Sequence, residues 1–329
     1  MKTLALFNNK GGVGKTSLVY HLAWMFADRN IPVLAVDLDP QANLTAMFLE
    51  DNRLLELWDD GQNLTVSDRL LPLMNRTGDI RDPSVESLHP SLWLLPGNLA
   101  LSRYEDLLSE TWPKCLGGDE VAFRVTTAFY RIILKAVGKT GARLVLVDMG
   151  PNLGAINRSA LIAADRVVIP LTPDLFSLQG LKNLGPTLRE WRKGWKKRLE
   201  ELPTGTGIPV PDGEMRPAGY VVVQHGIRDS RPVVAYRRWL DRIPSDYREA
   251  VMGDSISQPP EPDKDPFNLA LLKHYRSLMP MAMEAHKPML FLKPADGAIG
   301  SHVEAVRACY ADFEALARRI ANEVGVPLE

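Results

Sequence analysis

The stretch that decides the fold is NNKGGVGKTS, residues 8–17. It nearly matches the phosphate-binding P-loop pattern G-x-x-x-x-G-K-[ST], because Gly14, Lys15 and Thr16 fit. Asn9 stands where the pattern has its first glycine, and a second lysine, Lys10, lies inside the loop. The stretch is therefore either a damaged P-loop or a different phosphate-binding loop that needs two lysines.

The segments around this loop have the pattern of a strand, a helix and a second strand. Residues 3–7 form a short apolar run that predicts a buried strand, and residues 17–29 carry apolar side chains at helical spacing. Residues 31–40 predict the next strand, with carboxylates at its C-terminal end. A unit of this kind implies a right-handed crossover and a parallel sheet.

Strands and helices continue to alternate along the chain. Further strands are predicted at 92–97, 143–151, 166–174 and 218–225, helices at 98–110, 119–137 and 302–324, and surface loops at 202–217 and 253–266. The alternation predicts an α/β fold, a doubly wound, mostly parallel sheet with helices on both faces. No internal repeat or clear linker interrupts the 329 residues, so a single domain is expected.

The residues of the loop and of two strand ends predict a nucleotide site. A glycine-rich loop presents backbone N–H groups to an anion, Lys15 would reach the β- and γ-phosphates, and Thr16 would bind Mg²⁺. Asp148 ends a strand where a magnesium carboxylate is needed, and Asp37 and Asp39 end another. The plainer alternatives are a tight glycine turn and aspartates that cap helices or turns.

Composition limits the class of protein. The formal net charge is -1, so any nucleic-acid binding must come from a local basic patch. The two cysteines are far apart in the sequence, which argues against a disulfide framework. No apolar stretch approaches the roughly 18–20 residues of a membrane span, and no signal peptide is visible. We therefore expect a cytoplasmic protein without stable membrane insertion.

Three segments together carry a family resemblance: KGGVGKTS (10–17), VDLDPQANLT (36–45) and residues 144–184. They resemble the ParA/MinD family of deviant Walker A ATPases, and the ParA branch most closely. Residues 94–105 and 285–320 also resemble that branch. The resemblance implies a P-loop NTPase fold of the deviant Walker A type, ATP and Mg²⁺ as cofactors, and ATP hydrolysis that is slow without a partner.

The resemblance also implies roles for individual residues. Lys10 matches the lysine that crosses to the partner subunit's phosphates in an ATP-sandwich homodimer, and Lys15 the lysine that serves its own subunit. Asp39 matches the aspartate that positions the attacking water. Thr16 and Asp148, the Walker B aspartate, match the metal site, with Asp37 beside it. The nucleotide-binding residues implied in this way are Lys10, Gly11, Gly12, Val13, Gly14, Lys15, Thr16, Ser17 and, for adenine, Gln224.

The sequence departs from the family pattern at two places. The family usually has two prolines after the Walker B aspartate, whereas this chain has Met149, Gly150 and Pro151. That difference changes the flexibility of a predicted switch loop. Residues 226–267 match nothing in the family and are expected to be an insertion in the single domain.

The resemblance implies that an ATP-bound dimer binds DNA without sequence preference, associates with the nucleoid, and partitions or positions DNA or other cargo. A ParB-like or adaptor protein would stimulate hydrolysis. The candidate DNA-binding residues share one predicted helical face, at Arg189, Arg192, Lys193, Lys196 and Lys197. The alternative is a solvated basic face, with Trp191 and Trp195 packed on the core. A second basic segment, residues 228–239, favours neither interpretation.

Two other functions remain open on this scaffold. A MinD-like membrane-surface ATPase would end in a basic amphipathic helix, whereas the sequence after Arg319 is short and acidic. A metabolic P-loop enzyme would need a second-substrate site, and none is evident. An iron–sulfur reductase would need cysteines at a dimer interface, and Cys115 and Cys309 lack suitable spacing.

Overall fold

A computed structural model describes residues 1–59, 64–225, 227–228, 231–232, 234–275 and 277–328, and the side chains in these ranges outside residues 224–235. Eight strands form one sheet in the order β10-β7-β6-β1-β5-β2-β4-β3. They are β1 (Lys2–Leu6), β2 (Val33–Asp37), β3 (Glu86–His89), β4 (Leu92–Leu95), β5 (Leu144–Asp148), β6 (Arg166–Leu171), β7 (Arg216–His225) and β10 (Asn268–Lys273). Only β3 pairs antiparallel with its neighbour in this sheet, and the short strands β8 (Ile227–Arg228) and β9 (Arg231–Pro232) pair separately.

Helices cover both faces of the sheet. On one face lie α1 (Lys15–Asp28), α2 (Asn43–Phe48), α3 (Asp51–Trp58), α12 (Leu278–Glu284) and α13 (Ser301–Val324). On the other lie α4 (Val66–Met74), α5 (Tyr104–Lys114), α6 (Glu120–Thr126), α7 (Ala128–Thr140), α8 (Ala155–Ile162), α9 (Leu175–Glu200), α10 (Val234–Leu240) and α11 (Ile243–Tyr247). The predicted doubly wound, mostly parallel architecture is confirmed.

The central strands are mostly apolar because both faces of the sheet are covered. In β1, Leu4 and Leu6 belong to the core under α1 and α13, and Ala5 belongs to the core under the opposite helices. Burial on both faces favours continuous apolar runs over strict alternation. The sequence of the predicted strand at residues 3–7 therefore does not alternate between apolar and polar residues.

One long predicted helix is in fact two. Residues 119–137 were expected to form a single amphipathic helix, but the structure ends α6 at Thr126 and begins α7 at Ala128. The Thr127 hydroxyl donates a hydrogen bond to the Phe123 carbonyl at 2.7 Å, a side-chain contact that competes with regular helix geometry. The amphipathic period continues across the break, which is why the sequence pattern did not show it.

Conversely, α9 continues for 26 residues although it contains Pro186 and Gly194. A Cβ atom on Gly194 would lie 3.5 Å from the Trp112 ring. Trp112 stacks against Trp195 with ring centroids 6.0 Å apart. The 3.5 Å distance from Gly194 is ordinary van der Waals contact, so the stacking does not require glycine, and the tertiary packing of α9 outweighs the low helix propensity of Gly194.

The described part of residues 226–267 is attached to the sheet by a buried ion pair. Both side chains are almost wholly buried, and the Arg248 guanidinium lies 2.6 Å from Asp265 Oδ1. The Tyr220 hydroxyl on β7 donates to Asp265 Oδ2 at 2.7 Å. This three-residue network joins the segment to the centre of β7; that the segment is an insertion in a single domain stays a prediction.

Removal of Asp265 would leave the Arg248 guanidinium buried without its counter-ion. We expect Asp265→Ala to lower the free energy of unfolding by about 3–5 kcal/mol. Urea denaturation measures the loss. Lys264→Ala removes one partner of an exposed ion pair with Glu261 in the same segment and is the matched control, expected to change little. Equal effects of the two variants would contradict a specific role of the buried pair.

Candidate functional site

The loop between β1 and α1 has the backbone geometry of an anion-binding turn. Gly12 and Gly14 have φ angles of 72° and 74°, in the left-handed region that favours glycine. Helix α1 begins at Lys15, and no side chain caps its first turn. Its free N–H groups and the helix dipole therefore point into the loop. Asn9 has no positive φ, so glycine is not needed there and the loop is not damaged.

Lys15 is held inside its own loop. Its side chain is buried, and Nζ donates to the Lys10 carbonyl at 3.2 Å. Burial lowers the pKa of this ammonium group, and the carboxylates of Asp148 and Asp39 partly offset the shift. A cation held in this way among backbone groups is placed to meet the phosphates of a bound nucleotide.

Lys10 points in a different direction. Its Nζ lies 2.6 Å from Asp174 Oδ2 and 2.9 Å from Thr172 Oγ1, at the junction between β6 and α9. The ring of Phe176, which is 74% exposed, lies 6.0 Å away. The two lysines of the loop therefore occupy different places, one inside the subunit's own site and one at its open edge.

Two of the predicted aspartates meet because their strands are neighbours. The register of β2 and β5 pairs Asp37 directly with Asp148. Asp37 Oδ2 accepts hydrogen bonds from the Thr45 N–H at 2.8 Å and the Thr45 hydroxyl at 2.7 Å. Burial raises the pKa of Asp37 to about 6, although these hydrogen bonds oppose the shift. Asp37 thus holds the loop that leads from β2 into α2, and its place beside a bound metal stays a prediction.

Asp148 has no such partners. Its carboxylate is fully buried, and neither oxygen completes a hydrogen bond within the part of the chain that is described. Burial raises the pKa of Asp148 well above its usual range, and the negative charge of Asp37 adds to this; the Thr16 hydroxyl and Lys15 partly offset the shift. A buried carboxylate whose nearest donor is the Thr16 hydroxyl suits a hard cation such as Mg²⁺.

No group of three or more histidine, cysteine or acidic side chains could hold a metal among the described residues. Mg²⁺ needs no such group, because it is usually held by one or two protein groups together with phosphates and water. The residues at this site therefore suit a metal that arrives with a nucleotide.

Asp39 faces the loop that follows Asp148. It is 6% exposed, and its Oδ1 accepts a hydrogen bond from the Gln41 N–H at 3.0 Å. A Cβ atom on Gly150 would lie 3.3 Å from the same oxygen. The carboxylate is thus held between its own strand end and the loop after β5, at the wall of the phosphate site.

A cavity of about 680 Å³ opens beside the glycine-rich loop. Its walls include Asp39, Pro151 and, from α12 and the turn after it, Met279, Met283 and His286. The α12 residues were missed in the sequence because they lie far along the chain and carry no motif.

Gln224 was expected near adenine; it belongs to β7, and its side chain lies outside the described residues.

The predicted basic face of α9 is only partly free. The Arg189 guanidinium donates to the Ala250 carbonyl, and Arg192 donates to the Met215 carbonyl at 2.6 Å. Arg189 is exposed and Arg192 is half-buried, and both bind backbone carbonyls of the same chain; that the five basic side chains bind DNA stays a prediction. Lys193, Lys196 and Lys197 are exposed.

The packing of the two tryptophans follows the plainer alternative. Trp195 is fully buried and Trp191 is 8% exposed, and both belong to the core under α9. In the second basic segment, the side chains of Arg228 and Arg231 lie outside the described residues.

His21 connects the first turn of α1 to the C-terminal part of the chain. It is fully buried, its Nδ1 lies 2.7 Å from the Ser17 carbonyl, and its Nε2 accepts a hydrogen bond from the Met289 N–H at 3.1 Å. These partners require a neutral ring with the proton on Nδ1. Burial lowers the pKa of His21 to about 4.

The depressed pKa of His21 predicts a loss of stability in acid. The unfolded chain binds a proton at this residue below about pH 6.5, whereas the folded chain does not until about pH 4. The folded state therefore loses about 3 kcal/mol from this residue as the pH falls through that window. The difference in unfolding free energy between wild type and His21→Gln should narrow from pH 7 to pH 4, and a constant difference would contradict this.

A glycine-rich loop between the central strand and its helix, with a buried lysine, a hydroxyl and a buried carboxylate around it, defines a P-loop nucleotide-binding protein. Residues 1–201 match a family model described as an AAA domain. The chromosome-partitioning ATPase Soj of Thermus thermophilus is 31% identical over 224 residues, which cover 68% of this chain and 75% of Soj. The chain belongs to the ParA family of ATPases.

Solved structures support the fold over the whole chain. A protein from Corynebacterium diphtheriae superposes with a TM-score of 0.73 at 24% identity, over 98% of both chains. The ATP complex of a McdA variant from Cyanothece superposes with a TM-score of 0.65 at 16% identity, over 99% of this chain and 97% of McdA.

This chain covers only part of the length of two of the curated relatives that it matches. The chain spans 66% of an uncharacterized protein of Methanocaldococcus jannaschii at 26% identity, and about half, 47%, of protein IncC of Escherichia coli at 30% identity. None of the helices in the described ranges is both long and apolar enough to cross a membrane.

Proposed function

We propose that this chain is a DNA- or cargo-partitioning ATPase that dimerises around ATP. In this model the ATP-bound homodimer binds DNA without sequence preference, associates with the nucleoid in the cytoplasm, and responds to a ParB-like or adaptor partner that stimulates slow hydrolysis. The observation that carries the proposal is the separation of the two loop lysines. Lys15 lies inside the site, whereas Lys10 lies at the open edge, beside exposed Phe176.

The same geometry supports the proposed roles in hydrolysis. Lys15 and the N-terminal N–H groups of α1 would bind the phosphates, and Thr16 and Asp148 would hold Mg²⁺, with Asp37 fixing the strand end beside it. Bound Mg²⁺ supplies positive charge that neutralises the phosphates. Asp39 would orient the attacking water from the wall of the site. A phosphoryl-transfer site works mainly by such positioning and electrostatics.

The ion pair of Lys10 must open before this residue can reach a partner's phosphates. The side chains of Lys10 and Asp174 are 28% and 34% exposed. An ion pair at this exposure contributes about 0–1 kcal/mol, because solvent screens it. A polyphosphate carries several negative charges, so it would compete successfully with a single carboxylate. The ion pair therefore does not oppose the proposed dimer.

Lys10 and Asp39 should have separable roles. We expect Lys10→Ala to bind ATP as a monomer and to lose ATP-dependent retention on non-specific DNA.

We expect Asp39→Ala to bind ATP and dimerise, with hydrolysis slowed about 100-fold because the water is no longer oriented. Light scattering, DNA retention with ATP, ADP or no nucleotide, and phosphate release measure these properties.

The matched control for Lys10→Ala is Lys182→Ala, which removes an exposed lysine from α9 that contributes nothing to the loop. DNA retention that ignores both the nucleotide and Lys10 would refute the dimer switch. Unchanged turnover of Asp39→Ala would remove that aspartate from its proposed role.

The proposed DNA surface is reduced to the three exposed lysines of α9. We expect the triple variant Lys193→Ala, Lys196→Ala and Lys197→Ala to weaken DNA binding of the ATP state more than about tenfold, with a shallower dependence of log K on log salt. A control variant replaces Lys114, Lys135 and Lys139, which lie on α5 and α7, by alanine. Equal loss in both triple variants would indicate diffuse charge instead of a defined surface.

A further inference from the structure

The loop of residues 149–154 forms the wall of the phosphate site opposite the glycine-rich loop. Pro151 lies 4.0 Å from the position of a Cβ atom on Gly11, and Gly150 packs on the Asp39 carboxylate. This chain has glycine at position 150, between Met149 and Pro151. Glycine leaves the backbone free to adopt many conformations, so the loop needs another source of order.

The side chain of Asn157 supplies that order. It lies on α8, is 1% exposed, and its Nδ2 donates to the Gly150 carbonyl at 2.8 Å and the Asn152 carbonyl at 2.7 Å. The same amide lies 3.0 Å from Asn152 Oδ1, which also accepts a hydrogen bond from the Gly154 N–H at 2.8 Å. One buried amide thus ties down both ends of the turn.

Glu105 fixes the helix from which Asn157 acts. Its two carboxylate oxygens accept hydrogen bonds from the N–H groups of Ala155 at 2.5 Å and Ile156 at 2.8 Å, in the first turn of α8. A Cβ atom on Gly154 would lie 2.7 Å from Glu105 Oε1, so the residue before α8 must be glycine for this contact to form. The start of α8 is therefore rigidly attached to α5.

We propose that Asn157 is a positioning residue for ATP hydrolysis, which holds Gly150 against the Asp39 carboxylate so that Asp39 keeps the orientation that water activation needs. This inference rests on the proposed function. Asn157 lines neither the glycine-rich loop nor the cavity, so its loss should leave ATP binding intact. We expect the loss of Asn157 to lower kcat, because a less ordered loop at residues 149–154 would displace the Asp39 carboxylate that orients the water.

The same helix offers a control for a merely structural effect. Ser159 is 3% exposed, and its hydroxyl donates to the Thr126 carbonyl at 2.8 Å, away from the loop. Ser159→Ala and Asn157→Ala both remove a buried hydrogen-bond donor from α8. Only Asn157→Ala removes contacts to residues 150 and 152.

The test compares wild type, Asn157→Ala, Asn157→Leu and Ser159→Ala. We expect both Asn157 variants to lower kcat about tenfold with KM for ATP within about twofold of wild type, and Ser159→Ala to keep kcat within about twofold. Hydrogen exchange of a peptide that covers residues 149–154 should become faster in the Asn157 variants only. Asn157→Leu keeps the branched side-chain shape without the donor and without a charge, so it serves if Asn157→Ala does not fold.

Three results would overturn the inference. They are unchanged kcat and exchange in the Asn157 variants, an equal loss of kcat in Ser159→Ala, and a loss that appears in KM instead of kcat. A wild-type chain that binds ATP without hydrolysing it would instead overturn the proposed function, and the role of Asn157 in hydrolysis with it.

Discussion

The rest of the structure depends on one costly arrangement, the burial of Asp148 at the end of β5 without a hydrogen-bond donor of its own in the described chain. A buried carboxylate without partners is unfavourable by several kcal/mol, and Asp37 lies directly across the strand pair. The Thr16 hydroxyl and Lys15 offset part of this cost. A buried carboxylate that lacks a hydrogen-bond partner at a single position is typical of a functional site.

The surroundings of that carboxylate are correspondingly rigid. Asp37 is held by Thr45, Asp39 by the Gln41 backbone, and the loop after β5 by Asn157. Thr45 and Asn157 belong to α2 and α8, which pack on the sheet. The site therefore combines a buried carboxylate that lacks a hydrogen bond with a frame held by specific hydrogen bonds, which suits electrostatic catalysis.

Much of the fold could be predicted because the apolar runs that form strands are strong local signals. The strands around the glycine-rich loop, the terminal helix α13 and the parallel order were all recoverable in this way. The break at Thr127 was not, because the local Thr127–Phe123 contact leaves the amphipathic period unchanged, and the fate of Arg189 was not, because it depends on a contact with Ala250, far along the chain. The amphipathic period is the same on both sides of the break, and a basic helical face has the same spacing whether or not it binds backbone carbonyls.

The sequence by itself determined the chemistry of the site: two lysines and a hydroxyl in one loop, and aspartates at two strand ends. Those residue types lie within short segments, so their spacing carries the information. Only the tertiary structure decided that Asp37 pairs with Asp148, that Lys10 and Lys15 point to different places, and that Asn157 and Glu105 support the loop opposite. These facts depend on strand register and on contacts between distant segments, and no local pattern of residues encodes such contacts.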